Sequence, residues 1–196
     1  MILDVAEDLF ANKGYTSTSI DEIAKECFIT KAAIYYHFKS KYELYRYILQ
    51  KNFMRLAEKI ETTVADETDV EKQFIAYVSV FAHEIQTNKH IASLLMREMA
   101  NGGKDMPPDA LKEMLRTFKV LTQVIRRGND LKTFKCVEPM IMQMMIIGSL
   151  SFLFTTQEIR KKVKIDMDID TKTLAQHTFE ETAYKIALTL LNSLKE

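Results

Sequence analysis

Apolar residues recur along this chain at the spacing of an α-helix, and short polar segments separate the runs. The first run has a single apolar helical face, formed by Ile2, Leu3, Ala6, Leu9 and Phe10. Gly14 follows Lys13 at its end, and glycine after a basic last turn is a common helix stop. The chain is therefore expected to begin with an amphipathic helix that ends at Gly14.

Three hydroxyl residues predict where the next helices begin. Ser19 precedes a short apolar run over 20–26, Thr30 precedes another over 31–38, and Ser40 precedes a much longer one. A side-chain oxygen at such a position accepts a hydrogen bond from a backbone N–H in the first turn of the helix. Two short helices joined by a tight link, with a supporting helix before them, are typical of a helix-turn-helix.

Beyond residue 66 the pattern changes to longer helices, predicted over 69–87, 89–100, 108–127, 136–158 and 171–194. The predicted breaks fall at 101–103, 107–108, 128–130 and 161–170. Five glycines and three prolines in 196 residues are too few turn residues for a many-stranded sheet. The predicted fold class is all-α.

Charge is balanced over the whole chain but not along it. Lysine plus arginine number 27 and aspartate plus glutamate number 27, so the total gives no sign of a polyanionic partner. Residues 1–30, however, carry two lysines against six acidic residues, whereas residues 31–51 carry five basic residues against one glutamate. The second short helix and the start of the long one therefore form a basic block.

The first fifty residues resemble the N-terminal domain of the TetR family of transcriptional regulators. The matching positions, in order, are 2–6, 9–10, 13–15, 18–20, 23–24, 30–31 and 34–41. The resemblance implies a helix-turn-helix DNA-binding domain of three helices over residues 1–48. It also implies a larger all-helical domain over 49–196 for effector binding and dimerisation, and a regulator, usually a repressor, rather than an enzyme.

The candidate DNA-binding residues are Ser19, Thr30, Lys31, Ala32, Ala33, Tyr35, Tyr36, His37 and Lys41. Backbone N–H groups at the helix start after Thr30 can meet a phosphate. The small side chains of Ala32 and Ala33 let the helix sink into the major groove and contact thymine methyl groups. The resemblance implies that Tyr35, His37 and Lys41 contact phosphates. It implies that Tyr36 faces the groove.

One position departs from the family pattern. Members commonly have glycine in the turn between the two short helices, where this chain has Phe28. A phenylalanine at a positive φ costs about 1 kcal/mol relative to glycine. We therefore expect either a reshaped turn or packing of the Phe28 ring that compensates for this cost.

A palindromic double-stranded operator requires a two-fold protein, so the resemblance implies a homodimer. It places the interface on the last two long helices, where the candidate residues are Gly148, Phe152, Phe179, Ala183, Ile186, Ala187, Leu190 and Leu191. The alternative is that these apolar helices only fill a core within one chain.

Methionines interleaved with Gln143 suggest a pocket wall for a hydrophobic or amphipathic small-molecule effector. The candidate lining residues are Phe74, Tyr77, Phe81, Leu94, Phe118, Thr122, Met140, Gln143 and Met144. For each of them the alternative, which the sequence favours for any single residue, is an ordinary place in the core. Binding there is expected to change the spacing of the two DNA-binding domains and weaken DNA affinity.

Other classes of protein have less support. No phosphate-binding glycine loop, nucleophile elbow or paired-cysteine motif is present, so no enzyme, metal or cofactor is expected. Cys27 and Cys136 are expected to be buried thiols of a cytoplasmic protein, since residues 1–8 do not look like a signal peptide. The remaining alternative is a helical adaptor whose basic block meets a membrane surface.

Overall fold

The computed structural model describes residues 1–88, 90–166 and 177–195, and within them it contains helices and no strand. The helices are α1 Ile2–Lys13, α2 Ile20–Glu26, α3 Lys31–His37, α4 Lys41–Ala65, α5 Val70–Thr87, α6 Ile91–Ala100, α7 Pro108–Asp130, α8 Pro139–Thr155, α9 Gln157–Asp166 and α10 Phe179–Leu194. The all-α prediction is confirmed. Among these helices none is both long and apolar enough to cross a membrane.

The chain packs into two compact units. Unit 1 comprises Met1–Arg55 and Lys89–Met114, and unit 2 comprises Leu56–Asn88 and Leu115–Glu196. In unit 1, α1 packs on α2 and on α6, and α2 packs on α3. Its fully buried side chains include Phe10, Ile23, Ile34, Leu44 and Ile48. The predicted domain boundary after residue 48 lies inside α4, and it stays a prediction.

In unit 2, helix α5 packs against both α8 and α10, and those two helices also pack against each other. Its buried side chains include Phe74, Val78, Ile146, Leu150, Ala187 and Leu194. α10 begins with a reciprocal pair of caps, in which Thr178 and Glu181 each accept a hydrogen bond from the other's backbone N–H. Helices α5, α8 and α10 therefore pack together as the centre of unit 2, to which α7 adds buried residues such as Leu121 and Ile125.

Several predicted boundaries in unit 2 are wrong. α7 continues through Gly128 to Asp130, because Gly128 lies under the Phe134 ring and is not a stop. The predicted helix 136–158 begins only at Pro139 and is interrupted at Thr156, where the hydroxyls of the two threonines donate to carbonyls of the preceding turn. α10 begins at Phe179, where the sequence predicted a start at 171.

The charged run from residue 161 was expected to be a break, but α9 continues to Asp166. Its glutamate, arginine and lysine residues are good helix formers, which explains the difference. The rest of that run, 167–170, and the first residues of the predicted helix 171–194, up to 176, lie outside the described residues. Cys27 is buried as expected, but Cys136 is exposed, and both thiols are free.

Candidate nucleic-acid interface

The turn between α2 and α3 is built by backbone hydrogen bonds. Ser19 caps the start of α2, where its hydroxyl accepts from the N–H of Glu22 at 3.1 Å. At the other end the N–H of Phe28 donates to the carbonyl of Lys25 at 3.1 Å, and the N–H of Ile29 donates to that of Ala24 at 3.0 Å. These two bonds form a Schellman motif, which places its turn residue in the left-handed region.

Phe28 occupies that left-handed position, with a φ of 55°. The turn has therefore not been reshaped to avoid a positive φ. The ring is 95% exposed, so packing within the chain does not compensate for the backbone either. Both expected ways of accommodating Phe28 are wrong, and the cost of about 1 kcal/mol stands.

Helix α3 presents an exposed face directly after this turn. Thr30 caps it by accepting a hydrogen bond from the N–H of Ala33 at 3.3 Å. Ile34 is fully buried and anchors the helix, while Tyr36 is 84% exposed. The other candidate residues exposed on α3 and its cap are Thr30, Lys31, Ala32, Tyr35 and His37, with Ala33 half-buried. The predicted DNA-binding residues of α3 therefore lie on one accessible helix.

Both lysines among the predicted DNA-binding residues have partners within unit 1. The ammonium of Lys31 forms an ion pair with Asp21 of α2 at 2.5 Å, and this carboxylate raises the pKa of Lys31. Lys41 donates to the carbonyls of Tyr15 and Thr18 at 2.9 and 3.0 Å. Its ammonium also lies 4.2 Å from the centre of the Tyr15 ring.

Lys41 therefore holds the α1–α2 loop in place. Two of its three N–H groups are used inside unit 1, which leaves one for a phosphate. Thr18 fixes the same loop, because its hydroxyl donates to the carbonyl of Gly14 at 2.9 Å. Tyr15 and Thr18 were not predicted as site residues. Their signal in the sequence was their place in the loop directly before the Ser19 cap.

Helix α6 supports α1 and α4, which sequence reasoning missed. Arg97 donates to the carbonyl of Ala11 at 2.7 Å and also to that of Asn12 at the end of α1. The Tyr45 hydroxyl of α4 donates to Glu98, a carboxyl that is 3% exposed. Burial raises the pKa of Glu98, and burial together with the bond to Glu98 raises the pKa of Tyr45.

Residues 2–48 match the family model of bacterial regulatory proteins of the tetR family. The Tn10 TetC protein of Escherichia coli is 26% identical over 137 residues, which is 68% of each chain. The negative transcriptional regulator of the biofilm operon icaADBC from Staphylococcus epidermidis, IcaR, is 44% identical over 52 residues, 26% of this chain and 28% of that protein.

The fold is similar over the whole length to the crystal structure of the Bacillus subtilis regulator FadR in complex with stearoyl-CoA. The TM-score is 0.75 at 14% identity, with 98% of this chain and 97% of that chain covered.

Residues 2–48 belong to the TetR family of bacterial regulatory proteins. The chain is accordingly a DNA-binding transcriptional regulator and not an enzyme. Helices α2 and α3 form its helix-turn-helix. The match to IcaR covers about a quarter of each protein, so the genes and partners of this chain are matters for proposal.

The predicted effector residues differ in their burial and in the unit to which they belong. Phe74, Tyr77 and Phe81 of α5 and Gln143 of α8 are buried in unit 2. Phe118 and Thr122 of α7 are half-buried there, and Met140 and Met144 are exposed on α8. Leu94 is buried in unit 1.

One polar contact joins the buried group. The Tyr77 hydroxyl donates to the amide oxygen of Gln143 at 2.7 Å, and burial raises the pKa of Tyr77 to about 12. Tyr77 therefore remains a neutral hydrogen-bond donor throughout the physiological pH range.

Only some of the residues predicted for the dimer interface are exposed to solvent. Gly148 and Phe152 of α8 are exposed, and Phe179 and Ile186 of α10 are half-buried. The buried ones are Ala183, Ala187, Leu190 and Leu191. Sequence reasoning missed exposed apolar residues on the same two helices, namely Ile141, Met145, Tyr184 and Leu188. The apolar stripe that the sequence shows on α10 is thus largely the face that packs within unit 2, and the exposed apolar residues lie beside it.

Proposed function

We propose that the protein acts as a homodimer that binds a palindromic DNA operator through two copies of the helix-turn-helix. The observation that carries the proposal is an apolar stripe on α8, where Ile141, Met145 and Phe152 are all exposed. Their spacing of four and seven residues places them on one side of the helix. A stripe of this kind on a folded unit marks an interaction surface.

Helix α10 extends the apolar surface next to this stripe. Tyr184 and Leu188 lie one turn apart and are exposed, although α10 packs on α5 and α8 elsewhere. Between α8 and α10 lies an apolar groove of about 490 Å³, lined by residues that include Met145, Ile186 and Leu190. A second copy of this chain would cover these residues through an isologous contact, in which the same surface is used on both subunits.

We further propose that an amphipathic small molecule binds in unit 2 and releases the protein from DNA. The support is the Tyr77–Gln143 hydrogen bond, which lies on helices that also bury Phe74 and Phe81. Apolar walls with a few oriented polar groups are typical of small-molecule sites. The similar FadR structure contains stearoyl-CoA, which is a ligand of this amphipathic class. Because IcaR is a negative regulator, we favour repression, exerted in the cytoplasm where the DNA lies.

The dimer is tested by the molar mass in light scattering at micromolar concentration. The wild-type chain is expected to be a dimer and Phe152→Glu a monomer, because the carboxylate would be buried in the interface. Leu131→Glu is the matched control, since Leu131 is exposed in unit 2 but lies outside α8 and α10. A monomeric wild-type protein would contradict the proposal.

The operator is tested by selecting duplexes from a randomised library with the wild-type protein. The selected sequences should be palindromic, and Phe152→Glu should bind them at least tenfold more weakly because the two domains no longer act together. Tyr36→Ala should change the preferred bases. If the selected duplexes are asymmetric, or if no duplex is selected, the proposal that a two-fold dimer binds a palindromic operator is contradicted.

The effector is tested with stearoyl-CoA as the probe and free coenzyme A as its control. Stearoyl-CoA should raise the melting temperature and weaken binding to the selected duplex, whereas coenzyme A alone should do neither. Gln143→Leu should reduce both responses, because it removes the acceptor of Tyr77. If acyl-CoA and other lipophilic compounds leave DNA binding unchanged, the effector proposal fails.

A further inference from the structure

We propose that Phe28 is itself a DNA-contacting residue, whose ring packs against a thymine methyl group at the edge of the major groove. The proposal rests on the DNA-binding function proposed above. It adds a specificity residue in the helix-turn-helix turn, outside the exposed face of α3.

The side chain of Phe28 has a conformational cost in the turn. Phe28 has a φ of 55°, a region that glycine enters freely and a phenylalanine does not. The Schellman hydrogen bonds from the N–H groups of Phe28 and Ile29 hold it there. Glycine would make the same two bonds without strain, so the side chain adds nothing to the turn itself.

Packing of the Phe28 ring within the chain does not offset this cost. With 95% of its surface exposed, the Phe28 ring gains almost nothing from burial in unit 1. The next residue, Ile29, is by contrast half-buried. The ring is thus an apolar group on a strained backbone with no stabilising role in the folded chain.

Phe28 lies directly before the start of α3. Phe28 precedes the Thr30 cap by two residues, and Thr30, Lys31 and Ala32 are all exposed. A ligand that meets the start of α3 therefore lies next to the ring. The Thr30 hydroxyl and the Lys31 ammonium can bind phosphates. The apolar Phe28 ring can pack against a methyl group, which only thymine presents in the major groove.

The surroundings favour DNA over a protein or lipid partner. The side chains of Lys25 and Glu26 just before the turn are exposed, so the ring stands alone among polar groups. An interface with another protein needs a contiguous apolar patch, whereas one ring is enough for a methyl contact. The basic block over 31–51 also complements the phosphates next to such a contact.

Phe28→Gly and Phe28→Asn test the proposal, because both residues tolerate a positive φ and neither carries a ring. Relief of the strain should raise the melting temperature by about 2–4 °C. Affinity for the duplex selected by the wild-type protein should fall at least fivefold, and affinity for an unrelated duplex should stay the same. A variant that is more stable and yet binds its site less tightly has not lost affinity through misfolding.

Lys132→Gly is the matched backbone control. Lys132 has a φ of 58° and lies in unit 2, after α7. This substitution should raise the melting temperature similarly and leave affinity for the selected duplex within twofold of wild type.

Replacing the thymines of each half-site one at a time by deoxyuridine locates the contact. At one position, loss of the methyl group should weaken wild-type binding several-fold and leave Phe28→Gly unaffected. If both Phe28 variants bind as tightly as wild type, or if every deoxyuridine affects wild type and variant equally, the inference is overturned. In either case a change of base preference in Tyr36→Ala would still support the proposed DNA-binding function. If the wild-type protein selects no duplex, the proposed function and the Phe28 contact are both wrong.

Discussion

The helix-turn-helix and the core of unit 2 reach the same helical architecture by different means. In the first, short helices begin where the side chains of Ser19 and Thr30 accept backbone N–H groups, and α2 ends in two defined backbone hydrogen bonds. In the second, α5 and α10 also begin at side-chain caps, whereas α8 has none and packs against both of these helices. Local hydrogen bonds define the helix ends of the first region, whereas α8 in the second depends on burial.

This difference explains which region a sequence comparison recognises. A cap or a turn needs a particular residue type at a particular position, so helices set by caps keep a readable motif. A packed core accepts many apolar combinations of similar volume. The family model accordingly matches residues 2–48, while the similarity to the FadR structure over the whole chain is one of fold at 14% identity.

The largest expected effect comes from Gly128→Ala in unit 2. A Cβ on Gly128 would lie 2.0 Å from Cδ2 of Phe134, a residue that is buried and meets the Phe74 ring edge-on at 6.3 Å. The Phe134 ring would have to leave this position. We expect a loss of about 3 kcal/mol in the free energy of unfolding, measured by urea denaturation.

Gly148→Ala is the contrasting control for that measurement. Gly148 lies in α8, and a Cβ there would meet nothing within 4 Å. The same substitution should therefore stabilise the chain by about 0.5–1 kcal/mol through helix propensity. Equal costs at both glycines would mean that packing does not define the end of α7.

The starts of the two short helices α2 and α3 were predicted to the residue, whereas the end of α7 was not. Ser19 and Thr30 indicated the starts of α2 and α3, since a local hydrogen bond determines each start. Gly128 and the two polar residues after it are typical of a helix end, and only the contact of Gly128 with Phe134 shows why α7 continues through it. That contact depends on the tertiary structure, which periodicity and propensity do not encode.

Thr30→Ala tests the cap side of the comparison. The N–H of Ala33 would lose its acceptor, and we expect about 1 kcal/mol less stability in urea denaturation. Thr30→Ser keeps the hydroxyl and should retain most of that stability. If Thr30→Ala cost nothing, helix α3 would be held by burial of Ile34 without its cap, as the uncapped α8 of unit 2 is held by burial.

The sequence predicted which candidate residues α3 would carry, but not the partners of the candidate lysines. Lys31, Tyr35 and Tyr36 are exposed on this helix, and their contact with DNA stays a prediction. The sequence did not indicate that Lys31 pairs with Asp21, or that Lys41 fixes the loop that carries Tyr15. A motif records which residues occur, whereas ion pairs depend on which helices meet.

The smallest expected effect concerns Glu98, where unit 1 relies on burial as unit 2 does. Its Oε1 accepts from Tyr45, and its buried Oε2 has no hydrogen-bond partner among the residues that the structure describes. Burial raises the pKa of Glu98, with a further contribution from Asp105. The folded state therefore holds its proton more tightly than the unfolded chain, whose pKa is near 4.5. This contribution to stability is complete below that value and is lost as the pH rises through the folded pKa.

Glu98→Gln should consequently stabilise the protein at pH 8, by about 1 kcal/mol, and have little effect near pH 4.5. The amide oxygen still accepts from Tyr45, so only the cost of a buried charge is removed. Glu84→Gln is the opposite control, because Glu84 is buried in an ion pair with Lys59 at 2.5 Å and its loss should destabilise unit 2 at pH 8. If Glu98→Gln has the same effect at both pH values, Glu98 does not titrate between them. The protonation state of Glu98 is then the same at both pH values, and the pH dependence expected from its burial is wrong.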